Sequence, residues 1–209
     1  MLNRYAKTFF NRLLRPLARA LLARGIHADW VSIVGTIGVV VGALAFYPLG
    51  ELFWGTLFIT LFIFSDVLDG LMAREAGCSS AWGSFLDSSL DRVQDAAIFI
   101  GIIWWFFTGG NNPAIAIAAL ACMGLGFLVS YVRAKAEALG FEAAVGIAER
   151  PERMVATLVF TGFTGLGLAQ PVLLIVLILL AIASAITVYQ RMRTVHAQAT
   201  AATDTTKSA

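Results

Sequence analysis

The sequence has few charged residues and few side chains that bind transition metals. Asp, Glu, Lys and Arg make up 13% of its 209 residues, and 59% of the residues are hydrophobic. This charged share is about half of that in an average soluble domain. The only cysteines are Cys78 and Cys122, and the only histidines are His27 and His196. These counts exclude a disordered chain, a nucleic-acid-binding module, a disulfide scaffold and a histidine metal site.

What the sequence does have is a series of apolar runs of about 20 residues, the length that a helix needs to cross a bilayer. The predicted fold is an all-α membrane protein with six transmembrane helices that follow an amphipathic interfacial helix. The domain boundaries are 1–25 for the juxtamembrane helix, 26–196 for the six-helix domain and 197–209 for a disordered cytoplasmic tail. The six predicted spans are 31–49, 53–73, 84–107, 114–135, 154–169 and 171–190.

The basic residues predict how the chain lies in the membrane. In 2–22, apolar residues recur at helical spacing and most basic residues occupy other faces, which favours a helix on an anionic leaflet over a plain cytosolic helix. Basic residues fill the N-terminal segment and every second connection, while the connections between them hold none. The positive-inside rule therefore predicts a multi-pass protein of the cell membrane, with both termini and the active site in the cytoplasm.

Five aspartates lie in or beside the second and third predicted spans, where each costs several kcal/mol if it faces lipid. Two are three residues apart on one predicted helix and two are four residues apart on the next, so four carboxylates can face one cavity. Oxygen ligands of this kind suit Mg²⁺ or Mn²⁺, and paired metals often assist displacement at phosphorus. A buried ion-pair network or a cation pathway is the alternative. The five are Asp66, Asp69, Asp87, Asp91 and Asp95.

The spacing of these residues resembles a known family. From Asp66 to Asp91 the sequence fits D-x2-D-G-x2-A-R-x8-G-x3-D-x3-D, the signature of the CDP-alcohol phosphotransferases, at all eight fixed positions. Members of that family transfer a phosphatidyl or similar group from a CDP-linked donor to an alcohol and release CMP. The resemblance implies a six-span enzyme, a homodimer and CDP-diacylglycerol as the donor.

The resemblance also assigns roles to individual residues. It implies two Mg²⁺ ions, with Mn²⁺ possible: Asp66, Asp69 and Asp87 hold one ion, and Asp66, Asp87 and Asp91 hold the other. Asp91 is in addition the implied general base. Asp95 lies outside the signature, and we expect it to pair with Arg92 or a polar backbone group. The residues implied to bind CDP-diacylglycerol are Asp29, Trp30, Val31, Ser32, Gly70, Arg74 and Ser80.

The acceptor is predicted from a second, basic set of residues at three helix ends. Such a set suits a phosphorylated acceptor, although the positive-inside rule alone would place basic residues there. The strings 130–137 and 149–153 resemble those of bacterial members that use inositol phosphate. This predicts transfer to inositol phosphate, with glycerol phosphate as the rival acceptor and a divalent-cation transporter as the non-enzyme alternative. The candidates for binding the acceptor phosphate are Arg133, Lys135, Arg153 and Arg191.

Overall fold

The computed structural model describes residues 15–75 and 80–207, without the side chains of Asp66, Val67, Ala73 and 202–207. All regular structure in these residues is helical, which confirms the all-α prediction. A short 3-10 turn, Tyr47–Leu49, follows the second helix. The helices are α1 (15–23), α2 (Ala28–Phe46), α3 (Leu52–Glu75), α4 (Ala81–Thr108), α5 (Pro113–Ala138), α6 (Arg150–Gly165) and α7 (Gln170–Lys207).

Four stretches of the described chain are long and apolar enough to cross a membrane: Ala28–Leu49, Leu52–Met72, Pro113–Ala138 and Gln170–Ala201. The other two predicted spans coincide with α4 and α6. Helix α4 has 28 residues but carries four charged side chains, and α6 has only 16 residues. At 1.5 Å per residue α6 is about 24 Å long, less than the roughly 30 Å of hydrocarbon in a bilayer. The described chain therefore has four candidate membrane spans, and the count of six stays a prediction.

The chain forms two compact units, Met1–Gly101 and Ile102–Ala209. In the first unit, α2 packs closely on α3 through glycines spaced three and four residues apart. A Cβ atom placed on Gly38 would lie 2.1 Å from Phe62 Cδ1, and one on Gly42 would lie 2.6 Å from Phe58 Cδ1. No side chain fits there, so these glycines let the two backbones approach.

The same unit joins α1 and α4 to this pair. Ala18 of α1 is fully buried against Leu68, Leu71 and Met72 of α3. Gln94 Nε2 of α4 donates a hydrogen bond of 3.1 Å to Thr36 Oγ1 of α2. Residues 15–23 therefore bear out the helical part of the predicted juxtamembrane segment, and its residues 1–14 lie outside the described residues. Its position on a lipid surface stays a prediction.

In the second unit, α5 and α6 both pack on α7. Helix α7 has 38 residues and continues through Lys207, whereas the sequence analysis placed a disordered tail from residue 197. The structure corrects that boundary. Alanine, the best helix former, fills positions 197, 199, 201 and 202, and the Gln198 side chain is tied to the backbone of Glu142.

Candidate active site

Asp69 of α3 is one predicted metal ligand, and its carboxylate meets a residue of the predicted donor motif. The residue is 6% exposed, and its Oδ2 accepts a hydrogen bond from Ser32 Oγ of α2. A carboxylate has two oxygens, so a serine on one of them is compatible with a cation on the other. The structure thus brings together Ser32 and Asp69, which the sequence assigned separately to the donor and to the metals.

Two more predicted donor residues meet at the start of α4. Ser80 precedes the helix, and its Oγ accepts the N–H of Gly83 at 3.0 Å, which is a helix N-cap bond. A Cβ on Gly83 would lie 3.3 Å from this Oγ and 4.0 Å from Asp29 Oδ1. The predicted motif at the start of α2 and the second half of the aspartate signature therefore lie side by side. Trp30 of the same motif is mostly exposed and Val31 is partly exposed.

Gly70 lies on α3 one residue after Asp69, and its surroundings differ from those of the packing glycines. Among the described residues, the nearest atom to a Cβ placed there is Arg74 Nη1, at 3.7 Å. Arg74 is itself exposed. Packing within the described chain does not require a glycine at this position. The open space beside a guanidinium fits a site for a phosphate-containing ligand.

On α4 the signature aspartates are more accessible. Asp87 is exposed, and the Asp91 side chain is partly exposed. Arg92 Nη2 lies 3.8 Å from Asp91 Oδ2 and 3.7 Å from Asp95 Oδ2. The expected pairing of Asp95 with Arg92 is therefore confirmed. Asp95 is buried. Its contact with Arg92 places the guanidinium next to Asp91, the carboxylate that the sequence predicts as the base.

The side chains of this region fit a hard divalent cation by their chemistry, since they are carboxylates, one of which accepts a hydrogen bond from a serine hydroxyl. Among the residues with described side chains, no three His, Cys, Asp or Glu residues form a group that could hold a metal. Asp66, which belongs to both predicted metal sites, lies outside that set. The four-aspartate ligand set therefore stays a prediction.

The predicted acceptor residues lie in the second unit. Arg133 Nε is paired with Glu137 Oε1 at 2.8 Å, and Lys135 is exposed. Arg133, Arg191 and Glu149 lie close enough to interact electrostatically. Arg133 and Arg191, two of the four candidates, thus share Glu149 as a neighbour.

Arg191 and Arg153 are both nearly inaccessible, at 2% and 1% exposure. Arg191 donates from Nε to Val145 O and from Nη1 to Val129 O, both at 2.8 Å, and from Nη2 to Glu149 Oε1 at 3.4 Å. These bonds use three of the five donors of a guanidinium. Arg153 lies against α5, where a Cβ on Gly126 would be 2.6 Å from its Cζ. The absence of a side chain at Gly126 therefore makes room for Arg153.

Comparison with known proteins decides the family. The sequence model of the CDP-alcohol phosphatidyltransferases matches residues 25–189. The chain belongs to the CDP-alcohol phosphatidyltransferase family. Phosphatidylinositol phosphate synthase of Streptomyces avermitilis is 49% identical over 97% of this chain and 87% of its own length. The corresponding enzyme of Cutibacterium acnes is 48% identical over 87% of this chain and 91% of its own.

A solved structure of a family member has the same fold. Mycobacterium tuberculosis phosphatidylinositol phosphate synthase with CDP-DAG bound is 40% identical and superposes with a TM-score of 0.84, over 88% of this chain and 94% of that one. A second structure of that enzyme, in complex with manganese and citrate, has a TM-score of 0.83 over 87% and 88%. The predicted family and the prediction of a CDP-diacylglycerol-dependent phosphotransferase are confirmed, which removes the cation-transporter alternative.

Several residues around the family's site were not found by sequence reasoning. Glu149, which binds Arg191, was noted only as part of a string, and Thr187 and Gln198 were not singled out. Thr187, Arg191 and Gln198 recur at helical spacing on α7, and this polar stripe was the available signal. A single sequence gave no signal that Gly126 faces Arg153.

Proposed function

We propose that this protein transfers the phosphatidyl group of CDP-diacylglycerol to inositol phosphate, giving phosphatidylinositol phosphate and CMP. The observation that carries the proposal is the complete aspartate signature in a chain that is 49% identical, over 97% of its length, to a phosphatidylinositol phosphate synthase. Charge alone does not separate inositol phosphate from glycerol phosphate, because both acceptors are phosphate monoesters. The identity of the relatives favours inositol phosphate.

The donor is assigned to the first unit. The residues assigned to the donor lie on or next to the ends of α2, α3 and α4. They are Asp29, Ser32, Gly70, Arg74 and Ser80. In this assignment Arg74 binds a phosphate oxygen, and the space above Gly70 admits the diphosphate. Trp30 and Val31 complete the predicted contacts to the donor, next to the apolar surface of α2.

Asp66, Asp69, Asp87 and Asp91 would hold two divalent cations, Mg²⁺ or Mn²⁺. The support is the chemistry of the ligands and the manganese in a solved relative with 40% identity. When bound, such cations neutralise charge on the donor diphosphate and make CMP a better leaving group. Ser32 keeps the Asp69 carboxylate oriented through its hydrogen bond to Oδ2.

Asp91 is proposed to take the proton from the acceptor hydroxyl. That hydroxyl oxygen forms a bond to the β-phosphorus of the donor, and the bond from this phosphorus to the CMP oxygen breaks. A single in-line displacement is the simplest path, since the signature has no Ser, Cys or His in the arrangement of an activated nucleophile. Arg92 limits the charge repulsion that the remaining carboxylates exert on Asp91.

The acceptor phosphate is assigned to the basic residues of the second unit. Arg153 and Arg191 are buried guanidinium groups, and Arg133 and Lys135 are more exposed. A guanidinium binds two phosphate oxygens at once, which fixes the orientation of the acceptor as well as its charge. Held in this way, inositol phosphate presents one ring hydroxyl for reaction.

We further propose a homodimer in the cell membrane, with six spans and both termini in the cytoplasm. The support is the alternation of basic and uncharged connections, together with four described stretches that are long and apolar enough to span. The active site then lies on the cytoplasmic side, where water-soluble inositol phosphate is available and the lipid tails of the donor stay in the bilayer.

An acceptor test decides between the candidate functions. Purified protein in detergent is incubated with CDP-diacylglycerol, MgCl₂ and either inositol phosphate, glycerol phosphate, free inositol or serine, and CMP release is measured. We expect release with inositol phosphate alone. Release with glycerol phosphate alone would keep the donor site and overturn the acceptor. No release with any acceptor, from protein that still binds CMP, would overturn the proposed reaction.

A further inference from the structure

The connection between α5 and α6, residues 139–149, has no regular secondary structure, yet part of it is buried. Ala143 and Ala148 are almost inaccessible. Buried peptide groups need hydrogen-bond partners, and this segment cannot supply them from a helix or a sheet of its own. Its backbone must therefore be held by side chains from elsewhere.

The partners are three side chains of α7. Thr187 Oγ1 accepts the N–H groups of Ile147 at 3.2 Å and Ala148 at 3.1 Å. Gln198 binds Glu142 in both directions: Glu142 N donates to Oε1 at 3.0 Å, and Nε2 donates to Glu142 O at 2.6 Å. Between them, Arg191 donates to Val145 O. The connection is thus fixed at its beginning, middle and end.

The spacing of these three residues explains how one helix can do this. Arg191 follows Thr187 by four residues and Gln198 follows Arg191 by seven, so all three lie on one face of α7. Gly146 has φ +145° and sits directly on Thr187, where a Cβ would lie 2.3 Å from Cγ2. The backbone of the α5–α6 connection therefore lies along α7 between Thr187 and Gln198.

The end of the connection leads straight into the proposed acceptor site. Glu149 accepts a bond from Arg191 with its carboxylate, and its carbonyl oxygen accepts the N–H of Arg153 at 3.3 Å. Arg153 lies in the first turn of α6. A shift of the connection would therefore move Glu149, the start of α6 and the guanidinium of Arg153 together.

We propose that Thr187 and Gln198 are positioning residues for the acceptor: they hold the α5–α6 connection so that Arg191 and Arg153 are correctly placed for its phosphate. This inference rests on the proposed function, because it assumes that these arginines bind the acceptor. Thr187 and Gln198 act through the connection and do not themselves contact the substrate. The residues assigned to the donor lie in the other unit.

The variants Thr187→Val and Gln198→Ala test this role. Each removes hydrogen bonds to the connection, and Thr187→Val conserves side-chain volume. We expect the KM for inositol phosphate to rise about tenfold, the equivalent of one lost hydrogen bond. The KM for CDP-diacylglycerol should stay within about twofold of wild type. Thr200→Val is the matched control, since the described hydrogen bonds of Thr200 go to carbonyls of its own helix. Thr187→Ser should restore the acceptor KM.

Amide hydrogen exchange supplies the structural readout. Ile147 and Ala148 should exchange faster in Thr187→Val, and Glu142 should exchange faster in Gln198→Ala. Faster exchange with an unchanged acceptor KM would overturn the positioning role, because the bonds would then serve the fold alone. Equal increases in both KM values would also overturn it.

The experiments distinguish an error in the proposed acceptor from an error in the proposed positioning role. If wild type uses glycerol phosphate, the same KM comparison is made with glycerol phosphate. If wild type releases no CMP, the Kd of inositol phosphate is compared by calorimetry, and equal values in wild type and both variants would overturn the inference.

Discussion

The two units of the chain differ in the charge and in the burial of their predicted functional side chains. In the first unit the predicted functional side chains are carboxylates close together in sequence, and two of them, Asp87 and Asp91, are exposed or partly exposed. In the second unit they are arginines distant in sequence, and Arg153 and Arg191 are almost completely buried. Carboxylates that bind cations must keep oxygens accessible, whereas a buried guanidinium needs carbonyl and carboxylate partners. The acidic site is therefore defined by spacing along two helices, and the basic site by tertiary contacts.

The largest expected effect comes from changing a carboxylate of the first unit. Asp91→Asn keeps the size of the side chain but removes the proposed base, so CMP release should fall by about a thousandfold or more. The melting temperature should stay near wild type. Glu51→Gln, an equally conservative change at an exposed position, is the matched control. Near-normal turnover in Asp91→Asn would refute the proton-acceptor role.

Arg153→Gln tests the basic side. Losing a charge-assisted hydrogen bond to phosphate should raise the KM for inositol phosphate about ten- to a hundredfold, with little change in the KM for CDP-diacylglycerol. The control is Arg193→Gln, which removes an exposed arginine of α7. Steady-state CMP release with each substrate varied in turn gives both values. An unchanged acceptor KM in folded Arg153→Gln would remove this residue from the pocket.

Within the first unit, Gly38 and Gly70 allow a glycine needed for helix packing to be compared with a glycine proposed to leave room for the donor. Gly38→Ala forces a Cβ to within 2.1 Å of Phe62, and such overpacking costs about 1–3 kcal/mol. Gly70→Ala meets only Arg74 Nη1, at 3.7 Å among the described residues, so we expect wild-type stability. Its CMP affinity should fall severalfold, because the methyl group enters the proposed donor site.

Thermal unfolding and CMP titration of both variants check this contrast. A destabilised Gly38→Ala with normal CMP affinity per folded molecule, beside a stable Gly70→Ala with weak affinity, is the expected pattern. If Gly70→Ala instead binds CMP as tightly as wild type, the space at Gly70 does not belong to the donor.

The difference between the units also explains how much could be predicted. Asp69, Gly70, Arg74, Asp87 and Asp91 could be singled out from the sequence because the family signature has a fixed spacing on two consecutive helices, and their roles as ligands stay a prediction. The helices themselves could be predicted to within a few residues at most ends from their apolar runs. The family and its donor followed from the same signature.

The second unit left weaker signals. Arg191 and Arg153 are predicted from a basic set at helix ends, but Arg191 lies inside α7, and nothing in the sequence says that it binds the carbonyls of Val129 and Val145. Those bonds join residues tens of positions apart. Polar residues that bind a distant backbone, such as Gln198, look like surface residues, which is why the helix through 197–207 was predicted as a disordered tail.

The smallest expected effect concerns an exposed link in the first unit. Arg15 Nε and Arg19 Nε lie 2.7 and 3.1 Å from the two carboxylate oxygens of Glu75, the last residue of α3. The hydrogen bond from Arg19 and the further bond and charge of Arg15 hold the pKa of the Glu75 carboxyl below its ordinary value. The link is therefore fully present at neutral pH and is lost as the pH falls through the lowered pKa of the folded-state carboxyl.

Because the pair is solvent-exposed and screened by salt, its loss should loosen α1 only slightly. Amide exchange in residues 18–22 should rise a little in Glu75→Gln, at a pH below the lowered pKa of the Glu75 carboxyl, and in 1 M NaCl, and the three treatments should not add. Ala18→Leu, which overfills the contact with Leu68, Leu71 and Met72, should disturb the same amides more. If Glu75→Gln has the larger effect, the ion pairs of Glu75 and not the apolar contacts of Ala18 hold α1 on α3. Electrostatic contacts would then dominate at this helix as well as at the two predicted sites.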